Sequence, residues 1–225
     1  MTSALVVLSG GMDSATALAW AATMYPTVDA LTVDYGQRHR REIDAARRQA
    51  ARWADRHDIV DLSDVGRVLT GSALTDDVGV PTGHYADETM KLTVVPNRNA
   101  ILASVAAGVA VARRHDAIVL GVHSGDHAIY PDCRPEFVDA LNALLAVANY
   151  DPVRVDAPFL HTDKRGILGI GFGLGVDYAA TWTCYVGGDQ PCGNCGSCVE
   201  RAEAFDTIGV RDPLRYVGDR VDVAL

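Results

Sequence analysis

The sequence predicts an α/β protein built on a doubly wound, mostly parallel sheet. Three observations point there. Short apolar, β-favouring runs alternate with helical stretches through most of the chain. A glycine-rich turn joins the first such run to the first helical stretch. Four of the five cysteines crowd into the C-terminal part, where they read as a zinc-binding segment appended to that sheet. With 225 residues, 48% hydrophobic and 22% charged, the chain has globular usage and enough length for a substantial core. No linker or internal repeat splits it, so residues 1–225 are expected to form one domain.

Taken in order, residues 4–8 (Ala-Leu-Val-Val-Leu) read as a buried strand, and residues 13–24, rich in alanine, as a helix. Residues 28–33 read as the second strand, 41–56 as an amphipathic helix, and 59–62 as a third short strand. Between 70 and 96 the periodicity fails amid Gly71, Gly79, Pro81, Gly83 and Pro96, which predicts a long loop of the kind that is functional or mobile. Alternation resumes with a helix at 99–114, a strand at 117–122, a helix at 136–149 and a strand at 153–157. Residues 166–175 contain five glycines and stand open between helix and loop.

Charge narrows the function. Proteins that grip nucleic acid neutralise phosphates with basic surfaces, and this chain carries a net −9, so direct nucleic-acid binding is not expected. The local exception is Arg38, Arg40, Arg41, Arg47, Arg48, Arg52 and Arg56. Arg48, Arg52 and Arg56 are four apart, on one face if the segment is helical, and read as a solvated surface before a phosphate or partner patch. No apolar run approaches the roughly 20 residues of a membrane span. The first run is too short for a signal peptide and leads straight into Ser9-Gly10-Gly11, so a cytoplasmic protein without a membrane partner is expected.

Ser9-Gly10-Gly11-Met12-Asp13-Ser14, between strand and helix, is the sharpest signal. Glycines let backbone N–H groups close around an oxyanion, and the helix that follows presents unpaired N–H groups and the positive end of its dipole. Ser9 and Ser14 add hydroxyls, and Asp13 can hold Mg²⁺ or its waters. The spacing is neither that of a Walker A loop nor Gly-x-Gly-x-x-Gly. Cys184, Cys192, Cys195 and Cys198 supply four thiolates, which suit a closed, structural Zn²⁺ site; an iron–sulfur cluster or free or disulfide-bonded thiols are the competing readings. Cys133 stands alone, either an unliganded thiol or a nucleophile.

The loop resembles the PP-loop of the ATP pyrophosphatase superfamily, whose fold is that of the adenine nucleotide alpha-hydrolase (HUP) group. With Asp34-Tyr35-Gly36-Gln37-Arg38-His39, Pro96-Asn97-Arg98-Asn99, Tyr130-Pro131-Asp132-Cys133-Arg134 and the cysteine pattern, the chain resembles the 7-cyano-7-deazaguanine synthase (QueC) family from about Ala4 to Phe205. The resemblance implies a ligase that joins 7-carboxy-7-deazaguanine to ammonia with ATP, through an adenylated carboxylate and an amide, to give the nitrile. It also implies a homodimer, Mg²⁺ and one structural Zn²⁺ per chain. It places ATP against Leu8, Ser9, Gly10, Gly11, Met12, Asp13, Ser14, Ala15, Thr16, Ala17 and Leu18, with Asp34, Tyr35 and Gln37.

Arg98 and Lys164 are candidate cations for phosphate or carboxylate charge, Asn99 and Tyr130 lie beside them in the motifs, and Asp126 and Asp132 could accept hydrogen bonds from the base. Two positions depart from the family pattern: Ala128-Ile129 stands where Ser-Gly is common, and Asn97 where Gly is. An enzyme that stops at the amide, or joins the carboxylate to another amine, stays open beside the nitrile synthase. RNA thiolation fits less well, since only Cys133 is spare to carry sulfur, and a nucleotide-sensing binding module fits poorly with an intact loop. Met1-Thr2 offers no amino-terminal cysteine for a glutaminase, so free ammonia or an external donor is expected.

Overall fold

The computed structural model describes residues 2–83 and 88–217. Five parallel strands lie in the order β3-β2-β1-β4-β5: β1 (Ser3–Val7), β2 (Thr27–Asp34), β3 (Arg56–Asp61), β4 (Ala117–Val119) and β5 (Arg154–Asp156). Ser3 pairs with Thr27 and Val7 with Leu31 on one side of β1, and Ala4 with Ala117 on the other. The expected doubly wound sheet is present.

Side chains of a strand alternate between faces, and the two faces are covered by different helices. Ala4, Val6, Ala30 and Val119 pack against α1 (Met12–Met24), α2 (Arg41–Trp53) and α6 (Lys164–Leu174). Leu5, Leu31 and Ile118 pack against α4 (Arg98–Arg113) and α5 (Pro135–Ala148). A one-turn helix, α3 (Ser63–Gly66), follows β3, and α7 (Gly196–Thr207) follows the cysteine segment. Glu88–Arg113 is long and apolar enough to cross a membrane by composition. Its helix breaks between a 3₁₀ turn (Glu88–Thr93) and α4, which lays Ala103, Ala106, Ala107 and Ala110 on the sheet as a core helix does.

Several expected boundaries move. α2 stops at Trp53, and Arg56 lies on β3 paired with Asp58, so the Arg48–Arg52–Arg56 face does not exist. The other arginines are engaged too: Arg38 with Asp77, Arg40 with Asp34, Arg41 with Asp189, Arg47 with Asp44 and Arg48 with the Ala180 carbonyl. β4 ends at Val119 because Gly121 passes against the backbone of Asp13 and Ser14, where an added Cβ would lie 3.1 Å away.

Residues 166–175, left open by their glycines, are helical as part of α6. Asp163 caps the start by accepting from Gly166 N (2.8 Å), Gly175 ends it in the left-handed region, and Gly171 admits Tyr178, whose hydroxyl would lie 1.8 Å from an added Cβ. Packing outweighs propensity. The loop at 70–96 is anchored where described: Ala73 N donates to the Leu92 carbonyl (2.7 Å), Ser72 and Leu74 are buried, and Thr82 bridges Cys195. Residues 84–87 lie outside the described residues.

Arg201, on α7, is the largest fully buried side chain. It donates through Nε and Nη2 to Asp212 (2.8 and 3.0 Å), through Nη2 to the Tyr178 carbonyl and through Nη1 to Thr181 Oγ1 (2.7 Å). Removing one partner strands the other charge in the interior. Asp212→Asn should lower the unfolding free energy by about 3–5 kcal/mol, read from the urea midpoint at an unchanged slope; a loss within experimental error would reject this role.

Candidate active site

The cleft opens at the carboxyl ends of β1, β2 and β4, where the strand order reverses and ligands of open α/β sheets sit. It encloses about 1140 Å³ of space when the solvent in its open mouth is counted.

The phosphate loop forms the floor. Ser14 Oγ accepts from Ser9 N and Gly10 N (both 3.2 Å), while Ser9 Oγ lies 3.0 Å from Ser14 Oγ and accepts from Gly11 N (3.3 Å). Gly10 has φ +95°, and a Cβ there would lie 2.1 Å from the Glu42 carbonyl oxygen and 2.6 Å from Ala46 N. No other residue fits. The loop is thus pressed onto the start of α2, with its own N–H groups held by the Ser9 and Ser14 hydroxyls beside the first turn of α1.

Beside it lies a buried charge cluster. Lys164 Nζ donates to Asp13 Oδ2 (2.7 Å) and pairs with Glu200 Oε2 (3.2 Å); His123 Nε2 lies 3.4 Å from Asp126 Oδ2 and 3.7 Å from Asp13 Oδ2. Burial by itself would raise the Asp13 carboxyl, but Lys164, backed by His123, holds it below the usual carboxylate range. Burial would likewise lower Lys164, and Asp13 and Glu200 instead push it above an ordinary lysine. Glu200 is raised, chiefly by burial. His123 Nδ1 accepts from Gly125 N (3.1 Å), which puts the ring proton on Nε2, facing the carboxylates.

The far side of the cleft is aromatic. Tyr35, Tyr130 and Tyr185 line it, with Arg98 among them, its guanidinium 6.0 Å over the Tyr130 ring. Burial pushes the Tyr35 phenol up to about 12, so it stays neutral, and the Arg98 guanidinium, against which burial acts, is nonetheless held above its ordinary value. Cys133 also lines the cleft, but burial, followed by Asp126, drives its thiol far up, and Asn99 Nδ2 donates to its sulfur (3.3 Å). A thiol held protonated is a poor nucleophile.

Of the residues singled out in the sequence, Leu8, Ser9, Gly11, Asp13, Ser14, Tyr35, Arg98, Asn99, Asp126, Tyr130 and Lys164 line this cleft. Gly10 shapes the loop from behind. Met12, Ala15, Thr16, Ala17 and Leu18 do not line it: they are buried in α1, Thr16 bonding Tyr178 (2.9 Å). Asp34 pairs with Arg40, and Gln37 bonds Glu42 (2.8 Å), neither at the cleft wall. Asp132 does not reach the cleft either. Its carboxylate accepts from Asn99 N (3.0 Å), satisfying an N–H of the first turn of α4 that has no helical partner.

The departure at Asn97 is explained: φ is +55°, a left-handed conformation that glycine and asparagine tolerate, so the turn into Arg98 is kept. Ile129 fills the core beneath Tyr130; the side chain of Ala128 lies outside those described. His39, Glu42, Trp182, Ser197 and Glu200 complete the wall unannounced by any chemical role in the sequence. His39 at least sits inside the Asp34–His39 motif, whereas Glu200 had no signal because α7 was hidden by cysteines and glycines.

The four cysteine sulfurs can take one ion: they lie within 4.8 Å of one another, and none is in a disulfide. Cys192 and Cys198 sulfurs are 3.9 Å apart, close to the roughly 3.8 Å edge of a tetrahedron with Zn–S near 2.3 Å. Cys192 N and Cys195 N donate to sulfurs of Cys184 and Cys192 (both 3.3 Å), as thiolate ligands require. Cys195 and Cys198 are buried, no side is left open for a substrate, and so the donor set fits a structural zinc.

The strand order, phosphate loop and cleft define a protein of the PP-loop class. Within that class the chain belongs to the family described as queuosine biosynthesis protein QueC, whose model matches residues 3–209. A 7-cyano-7-deazaguanine synthase of Marinobacter nauticus is 53% identical over 214 residues, 95% of this chain and 97% of that protein. Another, of Brucella anthropi, is 51% identical over 214 residues, 94% of this chain and 92% of that one. The structure also resembles that of an NMN synthetase from Francisella tularensis (13% identity, TM-score 0.53, covering 92% and 77%), a likeness of fold.

Purified protein should be colourless with about one zinc per chain, the content of one closed four-cysteine site. Cys195→Ser should lose the metal and expose residues 184–198 to proteolysis; a brown protein absorbing near 400 nm, roughly where iron–sulfur clusters do, would reject the assignment.

Proposed function

We propose that this chain converts 7-carboxy-7-deazaguanine and ammonia to 7-cyano-7-deazaguanine, using ATP to activate first the carboxylate and then the amide. The observation that carries this reading is the pairing within one cleft of an oxyanion-binding loop with a buried cation in an aromatic wall, Arg98 among Tyr35, Tyr130 and Tyr185. Kinship with synthases of that name, at about half identity over nearly the whole chain, supports the same reading.

The chemistry follows from the groups present. A carboxylate is a poor acyl donor because oxide is a poor leaving group. Attack of its oxygen on the α-phosphorus of ATP expels pyrophosphate and makes AMP the leaving group. The Ser9 and Ser14 hydroxyls, the start of α1 and Lys164 can hold the phosphate charge as it shifts. Arg98 orients the carboxylate, and the tyrosines present flat faces to a planar base. Ammonia displaces AMP to give the amide. Activation of the amide oxygen in the same site, with loss of the N–H protons and of AMP, leaves the nitrile.

A divalent cation fits beside the loop. Asp13 Oδ1 is buried with no hydrogen-bond partner among the described residues, and ligand atoms of His123, Asp126 and Glu200 lie within 4.8 Å of one another. With His123 protonated at Nε2, the carboxylates are the donors, the oxygen set that suits Mg²⁺, which when bound neutralises phosphate charge. On this reading the enzyme works as one catalytic domain, in the cytoplasm, as a homodimer, as the family resemblance implies.

Mass spectrometry of a reaction with the carboxylate, ATP, Mg²⁺ and ammonia should find the nitrile, with pyrophosphate released. Release of none would reject the proposal; accumulation of the amide alone would make this an amide-forming enzyme. Asp13→Asn should abolish turnover and still fold, since Lys164 keeps Glu200 as a partner. Arg98→Ala should raise KM for the carboxylate roughly 10- to 100-fold, the value of one charge-assisted hydrogen bond, and leave ATP affinity unchanged; equal loss of both would assign Arg98 to the fold.

A further inference from the structure

The cleft contains a second group of polar side chains that the phosphate loop, the charge cluster and the aromatic wall do not use. His39 and Glu42, at the start of α2, both line the cleft on the side of Tyr185. His39 is 3% exposed, and its Nε2 lies 3.2 Å from Glu42 Oε2. Glu42 is itself held, since its Oε1 accepts from Gln37 Nε2 (2.8 Å). Gln37 is held in turn, its Oε1 accepting from the backbone N–H of Tyr35 (2.9 Å).

This chain has a direction. The carboxylate of Glu42 accepts from the Nε2–H of His39, which leaves the Nδ1 lone pair as the free end of the ring. Nδ1 is buried and has no hydrogen-bond partner among the described residues. A polar atom buried without a partner loses free energy unless a ligand supplies one. A neutral imidazole whose far nitrogen is oriented by a carboxylate, itself oriented by a third group, is the arrangement of an activated base. A histidine placed only for packing would not need three hydrogen-bonded groups to set its tautomer.

We propose that His39 is the proton acceptor for the attack of ammonia, with Glu42 and Gln37 as positioning residues. The inference rests on the adenylating reading above. In that step the ammonia nitrogen forms a bond to the acyl carbon of the adenylate and acquires positive charge. One N–H proton passes to His39 Nδ1. The carbon–oxygen bond to AMP then breaks, its electron pair leaving on the AMP phosphate oxygen, and the neutral amide remains. Adenylation itself needs no proton acceptor, since the attacking carboxylate is already ionised, so the two half-reactions should respond differently to loss of His39.

The test separates them. Single-turnover pyrophosphate release and formation of nitrogen-containing product are measured with wild type, His39→Gln and Glu42→Gln, each first checked for an unchanged melting temperature. His39→Gln should slow amination by roughly 10²- to 10⁴-fold, the usual contribution of a general base, while its burst of pyrophosphate persists. Hydroxylamine, unprotonated at neutral pH and less dependent on a base, should recover much of the acyl transfer as hydroxamate. Glu42→Gln should show a smaller loss in the same direction, and it carries the test if His39→Gln does not fold. Equal decline of pyrophosphate release and amination, or undiminished amination in both variants, would overturn the proposal. Absence of pyrophosphate release in the wild type would instead overturn the adenylating reading beneath it.

Discussion

Lys164 is the interaction on which the rest of the site depends. It starts α6, its ammonium meets Asp13 at the start of α1, and it meets Glu200 on α7, so three helices converge on one buried charge. An isolated ammonium in this position would be costly, and so would either carboxylate alone. Each is tolerable because the others are there. The phosphate loop, the sheet face beneath α6 and the cysteine segment therefore share a fixed point.

That fixed point divides the cleft. On one side lie the loop hydroxyls and the Lys164 cluster; on the other, aromatic rings surround Arg98. On the proposed reading, a carboxylate at Arg98 and a nucleotide on the loop would meet in one cleft, which removes much of the entropic barrier to a reaction between two bound molecules.

Much of the scaffold was legible because it rests on local rules. Alternating apolar runs announced all five strands, and strand–Gly-Gly–helix announced the loop. What misled was the assumption that each element obeys its own propensity. Residues 166–175 carry too many glycines for a stable isolated helix, yet Gly171 is what lets α6 approach Tyr178. Arg56 continued the spacing of a helix but belongs to the strand that pairs with β2. In the site, residues with a motif were found, and residues that depend on long-range convergence were not. Asp132 looked like a ligand because it is a carboxylate in a motif; its partner, the free N–H of Asn99, exists only once α4 begins there. Glu200 arrives at Lys164 from a helix whose sequence reads first as metal ligands.

Trp182 gives the cysteine segment a reach beyond its own fold. Its backbone N–H donates to the Gly10 carbonyl (2.9 Å), its indole N–H donates to the Cys184 carbonyl (3.0 Å), and its ring packs with Cys184, Cys195 and Cys198. One residue thus ties a metal ligand to the turn that cradles phosphate. Any free energy by which zinc orders residues around Cys184 is felt at Gly10, and by reciprocity a nucleotide that settles the loop must tighten the segment's hold on its metal to the same degree. On the proposed reading, the supplies of metal and of nucleotide become linked variables.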